Sequence, residues 1–272
     1  MSSSGPRREV AYRVFASEFD DASYTYAESD EERAPNYVVT PTGARVNRLF
    51  VVGVLTEVEQ VSDDVVRARV VDPTGAFVIY AGQYQPDALA FFERAEPPTF
   101  VAVTGKARTF QPEGSDRVFT SIRPESVNEV DAETRDRWVV DTASQTLERI
   151  AIFAKAFDTD TRGAELQTAL VDAGVQQGIA AGIPRAIEEY GTTRGYLAAL
   201  QEMALDAVRL VADQVDEVER TELAPDEGGD ADVDTGFAED VSLEEIEPET
   251  AASPQTKEGP DETAEPSVAA GE

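Results

Sequence analysis

The sequence predicts a small five-stranded β-barrel with an N-terminal extension, a C-terminal α-helical region and a disordered acidic tail. Three observations carry this. Residues 45–82 read as three β-runs joined by two short turns. One short helical segment then separates them from two further β-runs. Beyond residue 131 the apolar residues recur every three or four positions instead of every second one.

The first run, Val46–Val61, is rich in β-branched residues and holds one interior glycine, Gly53. An isolated glycine in such a run predicts a bulge or tight bend. Ser62-Asp63-Asp64 is a polar break. The second run, Val65–Asp72, alternates Val66, Ala68 and Val70 against Arg67, Arg69 and Val71, the pattern of a half-buried strand. Asp72-Pro73-Thr74-Gly75 suits a type I turn, with proline second and glycine fourth. Ala76–Ala81 is the third run. Pro86–Ala95 then has proline where a helix starts and Leu89 and Phe92 three apart. Thr99–Phe110 is the fourth strand, with Val101, Val103 and Ala107 on one parity. Val118–Val130 is the fifth, interrupted by Pro124. A long bent strand, a meander, a helix and two more strands is the order of the OB-fold, a partly open Greek-key barrel.

Outside the barrel, residues 1–44 read as an extension packed on it. Arg7–Phe19 places Val10, Val14 and Phe15 on one helical face and predicts a short amphipathic helix. Asp20–Pro35, with Tyr24 and Tyr26, is a strand or an ordered loop. Tyr37–Thr40 is a short strand leading through Pro41-Thr42-Gly43 into the barrel. Residues 132–220 form the helical region. Its first helix, Ala132–Phe157, carries Trp138, Ile150, Phe153 and Phe157 on one stripe, read here as core or as a partner-binding face. Thr161–Tyr190 is helical in tendency, with Gly174, Gly178, Gly182 and Pro184 weakening or splitting it. Thr192 and Thr193 cap a last helix running to about Val218.

From Thr221 the composition turns acidic, rich in proline and poor in large apolar residues. Such a segment cannot bury enough surface to offset chain entropy, which predicts disorder over residues 221–272. One island, Phe237–Ile246, has the spacing of a short helix. Ser242 and Glu245 make a capping box that would suit docking in a partner's groove, against the plainer reading of an idle island. Asp230, Asp232 and Asp234 resemble a calcium loop. The match fails, because Thr235 stands where glycine is needed and Val241 where glutamate is needed.

The chain of 272 residues has 23 basic against 54 acidic side chains, a net charge of −31. Residues 221–272 alone carry 17 acidic groups and 1 basic group, whereas residues 45–131 carry 13 and 9. The cations are 20 Arg and 3 Lys. Acid excess with few lysines fits a protein kept soluble in concentrated salt, where repulsion is screened. With no cysteine and no histidine, no disulfide, thiolate zinc site, cysteine nucleophile or histidine triad can form. No metal or other cofactor is expected. No nucleotide-binding glycine loop appears, and an enzyme is not expected. The apolar runs are too short to span a membrane, and MSSSGPRREV lacks the apolar stretch of a signal peptide, so a cytoplasmic location is expected.

The outward parity of the barrel strands gathers cations and rings. Arg67 and Arg69 lie there in the second strand, and Lys106, Arg108 and Phe110 in the fourth, with Phe100 and Thr104. Phe119 and Arg123 follow in the fifth, and Arg48, Tyr80 and Tyr84 stand beside them. Arginines interleaved with aromatics suit single-stranded nucleic acid, since cations follow the backbone and rings stack on bases. The plainer reading is a solvated face whose arginines pair with the many carboxylates. In concentrated salt, phosphate attraction weakens, so Tyr80, Tyr84 and Phe110 would matter more than any one arginine.

REVAYRVFASEF, ERAPNYVV, PTGARVNRLFVVGVLTEVE, DPTGAFVIYAGQYQPDA and FVAVTGKARTF together resemble the replication protein A–associated proteins of halophilic archaea. The similarity is close over residues 7 to about 157, looser to about 215, and does not cover the tail. It implies an OB-fold, non-enzymatic accessory subunit acting with a cognate replication protein A subunit on single-stranded DNA, in replication and repair. It carries over no catalytic residue and no specific DNA contact. Many members of the wider family hold a zinc finger, and this chain has no cysteine to build one. The alternatives are a protein scaffold that touches no DNA, or an RNA-binding OB protein.

Overall fold

In the computed structural model, which describes residues 10–29, 35–220 and 222–243, the chain begins by running extended along the barrel. Tyr12 donates its N–H to the Arg48 carbonyl at 2.8 Å and accepts from the Phe50 N–H at 2.9 Å. Backbone groups satisfied in this way have no need of a helix. The helix predicted over Arg7–Phe19 is therefore confined to α1, Ala16–Asp20, and residues 7–9 lie outside the described residues. Val14 and Phe15 are buried while Val10 is exposed.

No side chain of its own segment caps α1. The cap comes from the distant Asp-Pro-Thr-Gly turn. Asp72 Oδ2 accepts the Ala16 N–H at 2.7 Å, and Thr74 Oγ1 accepts the Ser17 N–H at 3.1 Å. The other oxygen of Asp72 accepts from the N–H groups of Thr74 and Gly75 within the turn. One carboxylate thus closes a β-turn and starts a helix 56 residues away in sequence.

A small antiparallel sheet follows: β1 (Tyr24–Ala27), β2 (Asn36–Val39) and β3 (Arg45–Val46). The barrel strands are β4 (Arg48–Ser62), β5 (Val65–Asp72), β6 (Gly75–Gly82), β7 (Thr99–Phe110) and β8 (Phe119–Glu129). Helix α2 (Pro86–Phe92) lies between β6 and β7. The barrel closes in the order β4-β5-β6-β8-β7, the OB-fold arrangement. Val66, Ala68, Val70, Phe77, Ile79, Val101, Val103, Ala107 and Ile122 fill it.

Two local expectations change. The register shifts of β4 against β5 fall between Leu55 and Glu57 and between Gln60 and Ser62, not at Gly53. Gly53 serves instead where β4 comes up against the end of β5, because a Cβ there would collide with the Val71 carbonyl. Pro124 does not interrupt β8. It sits at the register shift against Thr104 and Gly105, where a residue lacking an N–H is tolerated.

The helical region comprises α3 (Ala132–Phe157), α4 (Gly163–Asp172), α5 (Gln177–Tyr190) and α6 (Arg194–Val211). Asp131 caps α3 by accepting the Thr134 N–H at 2.8 Å, and Thr193 caps α6 through the Tyr196 N–H at 3.1 Å. Gly174, at φ +84°, separates α4 from α5, while Gly178, Gly182 and Pro184 lie inside an unbroken α5. Gly182 brings α5 against the Pro41–Gly43 turn, since any Cβ would strike the Gly43 carbonyl. Helix α6 ends at Val211, short of the predicted Val218. Among the described residues no helix is long and apolar enough to cross a membrane.

The stripe read as a partner-binding face turns inward. Trp138, Ile150 and Phe153 are buried within the chain, and Phe157 is half-buried against Phe153. Trp138 donates its indole N–H to the Phe50 carbonyl at 2.9 Å and meets Phe15 edge-on. An amphipathic pattern says that a face is covered, not by what, and here the cover is the protein's own barrel and helices.

The segment predicted to be disordered from Thr221 contributes an ordered strap over residues 222–243. Gln201 exchanges two hydrogen bonds with the backbone of Asp234, each 2.9 Å. Lys155 donates to the carbonyls of Ala238 and Val241 at 2.5 and 2.8 Å. These hydrogen bonds to the strap backbone add to a few apolar contacts, since Ala238 and Leu243 are buried and Leu223, Val233 and Val241 pack against the core. The Phe237 island forms a 3-10 turn, Gly236–Ala238, that contacts α3 of this chain and leaves Phe237 exposed. Residues 244–272, including Glu245 of the expected capping box, lie outside the described residues.

One buried ion pair joins these parts. Arg149 Nη2 of α3 meets Glu18 Oε2 of α1 at 2.6 Å, with side chains 3% and 0% exposed. Arg149 Nε also donates to Thr42 Oγ1 at 2.6 Å, and Thr42 in turn donates to Glu18. Replacing Glu18 by alanine strands a buried guanidinium and should cost about 3–5 kcal/mol in urea unfolding. A loss below about 1 kcal/mol would show that water reaches the site.

Burial pushes Asp21 and Asp72 up to about 6, against the opposing hydrogen bonds from Tyr196 and from the Ala16 and Thr74 amides respectively. Both titrate near 3.8 when unfolded. Between those values the folded chain binds more protons, so their contribution to stability falls as pH rises through the window. Asn can still accept the Tyr196 hydroxyl bond. Asp21→Asn should therefore gain on the wild type at about pH 7.5 relative to about pH 5 in urea midpoints, and an equal difference at both would refute the burial argument.

Candidate nucleic-acid interface

Register places the outward residues in rows. Arg48 on β4 lies opposite Lys106 on β7, and Lys106 lies opposite Arg123 on β8. Three cations thus stand side by side across three strands. Directly opposed like charges on a sheet face destabilise it, so the row favours binding an anion. Arg48 is already held by Glu125, with contacts of 2.5 and 2.9 Å. Lys106, Arg108 and Arg123 have no carboxylate within 4.0 Å among the described residues. Burial, and then the nearby charge of Arg123, lowers the pKa of Arg108, which still stays a cation.

The rings gather at the same place. Strands β6 and β8 are parallel and pair at a single position, Ile79 with Ile122. A hollow of about 410 Å³ opens at this junction, lined among others by Tyr80, Tyr84, Arg108, Ser121 and Arg123. Asp64 on its rim tempers the positive charge. A second hollow adjoins it, where Tyr84 faces Lys106, Arg108 and Arg123 together with Asp87 and Glu125. Tyr84 is 79% exposed and Tyr80 42%, so both rings are available for stacking. Gln85 holds the loop between them and α2 by accepting the Gly82 N–H at 3.2 Å.

The remaining predicted residues divide. Phe110 and Phe119 are cross-strand partners at the loop end of the β7–β8 hairpin, 65% and 40% exposed. The Arg117 guanidinium stacks over Phe119 at 4.7 Å. Arg117 was missed by strand parity because it lies in the loop before β8. Its signal was its place two residues before an outward phenylalanine. Arg67 and Arg69 lie toward the β4–β5 edge. Arg67 stands opposite Tyr80 but binds Glu57 and Glu59, at 3.5 and 2.6 Å. Arg69 is exposed opposite Val78 and Glu57. For Arg67 the plainer reading, a cation paired on a solvated face, describes what is seen.

The site has the parts for binding phosphates and flat rings. Among the described residues no group of three His, Cys, Asp or Glu is placed to hold a metal ion.

No family model and no curated protein matches the chain. Solved structures similar to it include a chain of a replication protein A heterotrimer bound to single-stranded DNA, at 17% identity and TM-score 0.37, covering 52% of this chain and 98% of that one. The S. pombe Stn1–Ten1 complex gives 15% identity and TM-score 0.36, covering 48% and 86%. The S. cerevisiae mitochondrial single-stranded DNA binding protein Rim1 gives 16% and 0.26, covering 32% and 95%. All three scores lie below 0.5, and the OB-fold assignment rests on strand order and register.

If the exposed residues serve binding and not folding, Tyr84→Ala and Arg123→Ala should leave the urea midpoint within about 0.5 kcal/mol of the wild type. A larger loss would make them structural.

Proposed function

We propose that this protein binds single-stranded DNA through the β6–β7–β8 face and acts as a non-enzymatic accessory subunit of a replication protein A complex in replication and repair. One observation carries the reading. Lys106, Arg108 and Arg123 cluster beside two exposed tyrosines with no carboxylate within 4.0 Å among the described residues, in a protein of net charge −31. Arg48 and Arg67 on the neighbouring strands are held by Glu125 and by Glu57 and Glu59, whereas these three cations keep their charge for a ligand. Cations for phosphates beside rings for bases are what a strand without sequence preference needs.

The subunit role and the halophilic setting rest on the sequence resemblance, with the arginine-rich, lysine-poor acidity in support. Since Trp138, Ile150 and Phe153 are buried in the chain, a replication protein A partner would meet a different surface.

The test is fluorescence anisotropy of labelled oligo-dT with the full chain in concentrated KCl, with and without the cognate replication protein A. The double variant Tyr80→Ala/Tyr84→Ala should weaken binding by about 1–3 kcal/mol per stacked base lost. Tighter binding of RNA of equal sequence would favour an RNA-binding role. Absence of binding alone and in the mixture would refute the proposal.

A further inference from the structure

Arg108 belongs to more than one hollow. Beyond the point where Arg48 pairs with Lys106, β4 no longer flanks β7. The small N-terminal sheet takes its place, with β2 lying against β7. A further hollow of about 280 Å³ opens there, lined among others by Thr25, Tyr26, Asn36, Tyr37, Arg108 and Thr109. The barrel and the extension share this hollow, so it exists only because the extension is docked. Thr25 and Asn36 are exposed. The faces of Tyr26 and Tyr37 are already engaged, Tyr26 by Tyr24 and Arg185 and Tyr37 by Arg45. The lining therefore offers the hydroxyl of Thr25 and the amide of Asn36 rather than a stacking surface.

We infer that the β1–β2 sheet extends the nucleic-acid track beyond the barrel, with Arg108 as the junction between two nucleotide subsites. Arg108 spends one donor on the Ala107 carbonyl at 3.1 Å, and a guanidinium has five. A phosphodiester on the remaining donors has one nucleoside on each side of it. One enters the Tyr80–Tyr84 hollow, where rings can stack. The other enters the Thr25–Asn36 hollow, where polar groups can meet a sugar or base edge. Burial and the Arg123 charge already disfavour the free cation at Arg108, and an anion at the junction relieves both.

This inference rests on the proposed single-strand function, and the test separates the two. Anisotropy is measured on the full chain with oligo-dT of increasing length in concentrated KCl. The variants are Thr25→Glu/Asn36→Glu, Thr25→Arg/Asn36→Arg and Tyr84→Ala, each checked for an unchanged unfolding midpoint. Wild-type affinity should step up once the oligonucleotide is long enough to pass Arg108. The glutamate pair should abolish that step, a loss of about fivefold or more, the low end of what one bound base contributes. It should leave the shortest binding oligonucleotide unaffected, whereas the arginine pair should raise affinity for long ones only. Tyr84→Ala should weaken every length. Wild-type binding that neither pair alters at any length would overturn the second subsite and leave the barrel site standing. Equal effects of both pairs at all lengths would mean a general charge effect and would also overturn it. No wild-type binding would overturn both readings.

Discussion

The Glu18–Arg149 ion pair is the interaction on which the arrangement of parts depends. Two fully buried charges are costly to desolvate, and their attraction offsets that only when the geometry is right and the spare valences are satisfied. Here Thr42, Thr146 and the Gln145 carbonyl supply those partners. The three elements that meet are the helix opening the extension, the turn leading into the barrel and the first helix after it. A misplaced element would leave a bare charge in the interior, so the pair selects one docking. Its effect is to specify position, more than to add stability over what an apolar triad would give.

That docking has consequences for the outer face of the barrel. With α1 held by Arg149 and capped by Asp72, β1 and β2 come to lie beside β7. The Tyr190 hydroxyl reinforces this from α5, donating to the Val39 carbonyl at 2.6 Å and accepting the Tyr24 N–H at 2.8 Å. The extension leaves open the β6–β8 junction, where Tyr80, Tyr84, Arg108 and Arg123 converge. It walls the groove on one side without filling it. The acidic strap is held on α3 and α6, through Gln201 and Lys155.

The barrel was legible in the sequence because a half-buried strand writes its burial into alternate positions. Val65–Asp72 and Thr99–Phe110 appear in the structure with those same bounds. Features set by distant partners were not legible. The start of α1 depends on Asp72, and nothing in Arg7–Phe19 shows that Tyr12 will pair with β4 instead. The strap over 222–243 is fastened by Gln201, Lys155 and Thr193 and by the backbone of Gly195, partners that composition cannot see. Parity identified the outward cations but not their partners. Arg48 is neutralised by Glu125 because a register shift at Pro124 brings that side chain round, and Arg67 by two glutamates of the neighbouring strand. Lys106, Arg108 and Arg123 stand apart only once register is known, whereas Arg117, two residues before an outward phenylalanine, was legible but lies outside the strand parity.

The central claim is that a single strand lies on the β6–β7–β8 face of the intact chain. Hydrogen–deuterium exchange of the full protein, with and without saturating oligo-dT, tests it most directly because it reports location without any substitution. Protection confined to the segments around Tyr80–Gln85, Lys106–Phe110 and Phe119–Arg123 is the predicted result. Protection centred on α3–α6, with those barrel segments unchanged, would contradict it.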